Sequence, residues 1–313
     1  MRSILTVYRK ELADYFSSKK FIILLALVYV AALSSVYVSL QNIREVAKAT
    51  EEHVFLRLFT TSGDILPSFI TFISFFIPII GIIFGFDAIN SERASGNLSR
   101  LLSQPIYRDS VINGKFLAGV TTLSIIVSSI VFIIAGIGLR TIGVPPTSEE
   151  ILRIFMFIFI SICYGTFWMG LSILFSIIME KTTASILVSI AIWLFLMFFL
   201  PIIANAIANA MAPLEGATLS TQLKNYSIEH GILRISPSTL YSESIVTLLV
   251  PTGGHFLLRP VLTSDVEKML LKPLSLGQSL IQIWPQLIVI IALAIICFAV
   301  SYIIFIKQEI RST

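Results

Sequence analysis

The stretch Trp284-Pro-Gln-Leu-Ile-Val-Ile-Ile-Ala-Leu-Ala-Ile-Ile-Cys-Phe-Ala-Val-Ser-Tyr-Ile-Ile-Phe-Ile306 holds no charged residue. A bilayer core about 30 Å thick is crossed by about 20 apolar residues in a helix. Lipid offers the backbone no hydrogen-bond partner, so such a block must be a helix or part of a closed barrel. Barrel strands alternate apolar and polar residues over about ten positions. This block is apolar throughout, which makes it a helix. Residues 21–40, 65–86, 116–138, 151–178 and 184–203 have the same character, so six transmembrane helices are expected. The predicted fold class is an all-α integral membrane protein, with residues 1–313 forming one transmembrane domain.

The composition agrees. Of 313 residues, 56% are hydrophobic and 13% charged, against about 25% charged in a soluble domain. A soluble globule of this size needs more charge to coat its surface. The net charge of +4 is explained by loop residues that set topology, and no nucleic-acid partner is implied. Cys163 and Cys297 lie inside apolar blocks and make no disulfide framework. The block at 21–40 has full spanning length and no small-residue cleavage site, so it is read as a permanent anchor.

Ahead of it, Ile4, Leu5, Tyr8, Leu12, Tyr15 and Phe16 share one stripe at helical spacing, while Arg2, Arg9, Lys10 and Asp14 face away. Residues 1–20 are therefore expected to form an amphipathic helix at the membrane surface, whose basic residues also serve as a topogenic anchor. Pro67, Pro78, Gly81 and Gly85 predict a kink or close packing in helix two. Basic residues gather in the N-terminal segment (Arg2, Arg9, Lys10, Lys19, Lys20), in the loop 87–115 (Arg93, Arg100, Arg108, Lys115), at Lys181, and in the tail (Lys307, Arg311). With six helices these segments share one side, and the positive-inside rule puts that side, with both termini, in the cytoplasm. The segment 205–283 then lies outside. Its short apolar runs, such as 245–250, cannot span, and Pro213, Pro237, Pro251, Gly253, Gly254, Pro260 and Pro273 break it. Short helices on or dipping into the outer leaflet are expected there, or else a small external domain.

The loop Asp87-Ala-Ile-Asn-Ser-Glu92-Arg93-Ala-Ser-Gly96-Asn-Leu98-Ser-Arg100-Leu101-Leu102-Ser103-Gln-Pro105-Ile-Tyr-Arg108, followed by Asn113-Gly114-Lys115, is the most informative polar stretch. Gly96 interrupts a helix-capable run. A short helix with Leu98, Leu101 and Leu102 follows and stops at Pro105. Its apolar face needs a partner, either the protein's own membrane face or a groove on another chain.

This loop, between helices two and three, resembles the signature of ABC-2-type permeases. The amphipathic start with Arg9-Lys10-Glu11-Leu12 is similar to the NosY-like branch of that family. The resemblance implies that the loop is a cytoplasmic coupling helix docking on a separate ABC ATPase. Glu92 and Arg93 would lie near the ATPase contact, Leu98, Leu101 and Leu102 would form the packing face, and Gly96 and Pro105 would shape the segment. Arg108 is carried over with them, although Arg108 and Lys115 also fit as topogenic charges. The family further implies two permeases, identical or related, paired with two ATPases in the cell membrane. ATP and Mg would be bound by the partner, and no cofactor is expected in this chain. A P-loop requires Gly-x-x-x-x-Gly-Lys-Ser/Thr. The near miss at Gly114-Lys115 has Phe116 for the hydroxyl and Asp109 for the first glycine.

Other chemistry is thin. His53, His230 and His255 are expected to be solvent-exposed on external loops, without ligand spacing. Arg153 and Glu180 lie at the ends of helix four, where snorkelling is expected. No acidic residue stands mid-span, which argues against ion-coupled transport. Aromatics of helices four and five, including Phe155, Phe159, Phe195 and Phe199, fit lipid-facing or interhelical packing. Two readings follow: an exporter permease for an amphipathic, lipid-linked or peptide substrate, or a mechanotransmitter of the same fold acting on an external protein. An enzyme or scaffold unrelated to ATP would need a polar catalytic cluster, which the sequence does not offer.

Overall fold

Residues 2–46, 54–60, 68–96, 107–143, 145–214, 218–250 and 274–308 are described in the computed structural model. Helix α1 (Arg2–Ser17) is followed by α2 (Lys19–Val46), a short α3 (Val54–Thr60), α4 (Phe69–Gly85) and a one-turn α5 (Asn90–Ala94). Then come α6 (Arg108–Ile142), α7 (Ser148–Ile178) and α8 (Thr182–Leu194). A π-turn (Phe195–Phe199) joins α8 to α9 (Leu200–Met211). Helices α10 (Leu219–Leu233), α11 (Pro237–Leu249) and α12 (Leu276–Lys307) complete the described chain, in which there is no strand.

Five helical spans are long and apolar enough to cross a membrane, and the count is six when α1 and α2, which are bent by 62° to each other, are taken together. The outer surface is correspondingly oily: Ile23, Leu187 and Ile295 are all more than 60% exposed. In a soluble protein such residues would be inside, and here they face lipid.

Local sequence accounts for where the helices start and stop. The Ser68 hydroxyl accepts from the Thr71 N–H and caps α4. Thr147 with Glu150, and Ser275 with Gln278, form capping boxes that start α7 and α12. Gly143, at φ 75°, ends α6 in the left-handed region. The capping boxes carry α7 and α12 beyond their apolar blocks. Helix α6 also begins early, at Arg108 rather than near 116 and without a side-chain cap, which turns the last part of the expected loop into helix. Helix five runs to Met211 and helix six starts at Leu276, so the stretch between them is shorter than expected.

Helix α7 is the axis of the bundle and packs on α4, α6, α11 and α12. Its approach to α4 is close enough that Gly81 and Gly85 leave no room for a side chain. A Cβ at 81 would lie 2.6 Å from the Gly165 carbonyl oxygen, and one at 85 would lie 2.6 Å from that of Met169. Without a hydrophobic drive between helices in lipid, such backbone contact supplies the dispersion energy. Phe116 and Phe298 stack at 3.9 Å between α6 and α12.

At the far end of the bundle, the expected short helices are α10 and α11. Helix α11 is buried rather than resting on a surface: Tyr241, Ile245 and Leu248 are fully covered. The Tyr241 ring stacks on Tyr164 at 4.3 Å, and the hydroxyls of Tyr241 and Tyr164 pair with Ser161 and Ser238.

Two expectations need correction here. Arg153 does not snorkel. It is 0% exposed, and its guanidinium donates to Glu149, to the carbonyls of Leu248 and Leu274 at 2.6 Å each, and to Ser279 Oγ. The physical reason is that the end of α11 and the start of α12 close over it and supply acceptors that water would otherwise give. His230 is likewise not solvent-exposed: its side chain is 13% exposed, beside Tyr226 and Glu243.

Candidate functional site

The bundle end that holds α1 and the C-terminal end of α12 carries a charged cluster drawn from three elements. Val7 and Glu11, one helical turn apart, form the buried face of α1 and lie against α6. The contact depends on Gly114, where a Cβ would come within 2.8 Å of the Val7 Cβ. Ser3 pairs with Ser110 at 3.0 Å, and the Tyr8 hydroxyl donates to Thr121 Oγ1 at 3.3 Å. Tyr15 donates to the Phe84 carbonyl at 3.2 Å and meets its ring edge-on. Helix α1 is therefore fixed to the ends of α4 and α6. Its buried stripe is rotated from the expected one, and Leu5 and Phe16 are exposed.

Lys115, in the second turn of α6, is 5% exposed. Its Nζ donates to Oε1 of Glu11 on α1 and to Oε1 of Glu92 on α5, each at 2.9 Å. Lys10 joins from the solvent side, with Nζ 2.9 Å from Glu11, 3.4 Å from Glu92 and 3.1 Å from Asp14. Burial opposes the charge on Glu11, but Lys115 and Lys10 outweigh it and hold the carboxyl below the usual carboxylate range. Burial also opposes the Lys10 ammonium, and Glu11 and Glu92 more than compensate, raising it above the usual lysine range.

Helix α5 is held from behind. The Ser176 hydroxyl of α7 accepts from the backbone N–H groups of Ile89 (3.0 Å) and Asn90 (3.2 Å), which a helix start leaves unpaired. Gly96 ends this turn at φ 71°, a conformation few other residues tolerate. Arg93 Nη2 donates to Gln308 Oε1 at 2.6 Å, and Arg108 Nη1 donates to the Gln308 carbonyl at 2.9 Å. Residues on both sides of 97–106 therefore grip the same residue at the end of α12.

Of the residues singled out from sequence, Glu92 and Arg93 join this cluster and Gly96 closes its turn. Arg108 and Lys115 both have partners, the Gln308 carbonyl for Arg108 and the Glu11 and Glu92 carboxylates for Lys115. Leu98, Leu101, Leu102 and Pro105 lie outside the described residues. Sequence reasoning missed Glu11, Lys10 and Gln308 as cluster members. A signal for Glu11 was present, since it falls on the apolar stripe between Tyr8 and Tyr15, where an unpaired carboxylate would be costly. Among the described residues, no group of three or more His, Cys, Asp or Glu could hold a metal ion.

A family model described as ABC-2 family transporter protein matches residues 5–310. The chain belongs to the ABC-2 transporter family. No curated protein matches it. As an ABC-2 protein it is a multi-pass membrane permease of an ABC system, the kind of subunit that works with an ABC ATPase. In this ABC-2 permease the charged cluster ties the segment after α4 to α1 and α6, and the two arginines tie the same region to α12. Buried ion pairs of this sort are poor net sources of stability but fix relative position, because breaking them leaves an unpaired charge.

Proposed function

We propose that this chain is the permease of an ATP-driven exporter, and that residues 87–115 transmit the ATPase cycle to the membrane helices. The bundle end with α1 is the cytoplasmic one. Leu98, Leu101 and Leu102 enter a groove of the ATPase, flanked by Glu92, Arg93, Gly96, Pro105 and Arg108. The observation that carries this reading is the double anchoring of the chain on either side of 97–106: Glu92 and Arg93 before it and Arg108 after it are bonded to Lys115 and Gln308. A displacement of the segment is thereby passed to α1, α6 and α12. A second permease copy, or a related one, completes the pathway, and an amphipathic, lipid-linked or peptide substrate moves outward. ATP and Mg stay in the partner.

The test is Leu101→Asp. The variant should lose the copurifying ATPase in gentle detergent while keeping its own melting temperature. Normal copurification would mean that the ATPase docks elsewhere.

A second reading has a specific support. Helix α11 and the start of α12 are bonded to α7 through Arg153, so bundle motion reaches the far end of the molecule. A mechanotransmitter acting on an external protein would use that connection. Shortening the segment between α9 and α12 should then abolish capture of the external partner with ATPase assembly intact. An exporter would instead keep its assembly and show altered substrate release.

A further inference from the structure

Helix five is not one rod. Below its midpoint, Ser185, Ser189 and Trp193 are buried at four-residue spacing and face the bundle, with Ser189 bonded to Ser172 and Trp193 edge-on to Phe75. Above it, the buried residues are Leu200, Ala204 and Ala208, again four apart, and α9 packs on α10 rather than on the bundle. Between these halves lies the π-turn, whose closing N–H, from Leu200, reaches back five residues to the Phe195 carbonyl. One extra residue in a turn rotates everything beyond it by about 100°. Pro201 follows, with no N–H to donate, so one backbone bond is missing directly beside the π-turn.

The α9–α10 pair is internally cross-linked. Asn225, buried on α10, donates to Asn209 Oδ1 and to the Ala212 carbonyl, at 2.9 and 2.7 Å. A tie to the bundle lies at the other end. Arg234, just past α10, donates through Nε to both carboxylate oxygens of Glu243 on α11, at 3.2 and 3.0 Å. His230 Nδ1 lies 3.6 Å from the same carboxylate. Glu243 is fixed because α11 is core, whereas the Arg234 side chain is 42% exposed and free to leave.

We propose that α9 and α10 form an arm, jointed to the bundle at Phe195–Phe199 and latched closed by Arg234 on Glu243. The two weak backbone positions concentrate bending at the π-turn, and the turn at 234–236 is the second joint. Opening the latch frees the arm without disturbing α7, α11 or α12. The inference stands on these contacts alone and does not depend on which substrate or partner the permease serves.

Hydrogen exchange on the full-length protein in lipid nanodiscs tests it. Arg234→Ala and Glu243→Gln should each speed amide exchange across residues 219–233 by about tenfold or more, the scale of a lost charged hydrogen bond. Exchange in 148–178 and 276–307 should not change. The exchanged pair, Arg234→Glu with Glu243→Arg, should restore protection in 219–233. Unchanged exchange in 219–233 would overturn the latch. Acceleration spread evenly over all helices would also overturn it, because Glu243 would then be a bundle-stability residue. Pro201→Ala should slow exchange at 196–202 and reduce the Arg234→Ala effect on 219–233, and an undiminished effect would remove the π-turn from the proposal.

Discussion

The Nζ of Lys115 lies 2.9 Å from Glu92 Oε1, joining the second turn of α6 to the one-turn helix that leads into 97–106. The same ammonium bonds Glu11 on α1 at 2.9 Å, so one buried charge holds three elements in register. Lys115→Met should leave two carboxylates facing each other without their inner cation and lower stability by about 3–5 kcal/mol, the usual cost of breaking a buried pair from one side. Lys115→Arg keeps the charge and should recover most of it. Thermal unfolding in detergent reads the stability. Under the coupling role proposed for residues 87–115, ATPase copurification should persist while ATP-driven transport in proteoliposomes falls more than stability alone explains.

The Glu11 carboxyl titrates below its ordinary range because Lys115 and Lys10 outweigh the effect of burial. A carboxyl with a depressed folded-state pKa adds stability that is complete above the unfolded value, about 4.3, and is lost as pH falls through the lower folded value. Melting temperature should therefore be nearly flat from neutral pH to about 5 and fall below about 4.3. Glu11→Gln should lower the neutral plateau and make the acid decline shallower. An acid decline identical in the two proteins would mean that Glu11 is not among the groups linking stability to protons.

The membrane architecture was legible because hydrophobic blocks of spanning length have few alternative structures in lipid. Span ends were less legible. Thr147, Ser275 and their partners three residues on extend α7 and α12 past the apolar blocks, and polar caps do not register in a hydropathy reading. The charged cluster was half legible. Glu92, Arg93 and Arg108 stood out by their place in the loop, whereas Glu11 was read only as part of the amphipathic N-terminal helix and Lys115 as a topogenic charge. Their pairing spans 104 residues in sequence, and only tertiary packing of α1 on α6 brings them together. Arg153 was misread for a related reason: Glu149 is one turn away, but its other acceptors are two backbone carbonyls, which carry no sequence signal, and Ser279, 126 residues on.

The α4–α7 contact makes a separate prediction. A methyl group at Gly81 would sit 2.6 Å from the Gly165 carbonyl and 3.0 Å from the Trp168 Cβ, and neither neighbour is the end of a flexible chain. Gly81→Ala should cost about 1–3 kcal/mol by overpacking, and Gly81→Val more. Gly136 meets nothing within 4 Å, so Gly136→Ala should be neutral or slightly stabilising. Unfolding of the two variants side by side separates helix contact from a general effect of glycine replacement.

Arg153 has a cost that depends on its acceptors. Its guanidinium bonds carbonyls at the end of α11 and just before α12, together with Glu149, which itself accepts from the Leu276 N–H at 2.9 Å. Arg153→Met keeps much of the volume but leaves the buried Leu248 carbonyl without this donor, at about 1–3 kcal/mol, and the half-buried Leu274 carbonyl at a smaller cost. Arg153→Lys carries the charge on one nitrogen and cannot bridge acceptors on both sides of a planar fork, so it should recover less than half of the loss. The damage should also be local. Limited proteolysis should find new cleavage between α11 and α12, with α1 and the Lys115 cluster still protected. Cleavage appearing equally at both ends of the bundle would mean that Arg153 supports the whole fold rather than the junction of α7, α11 and α12.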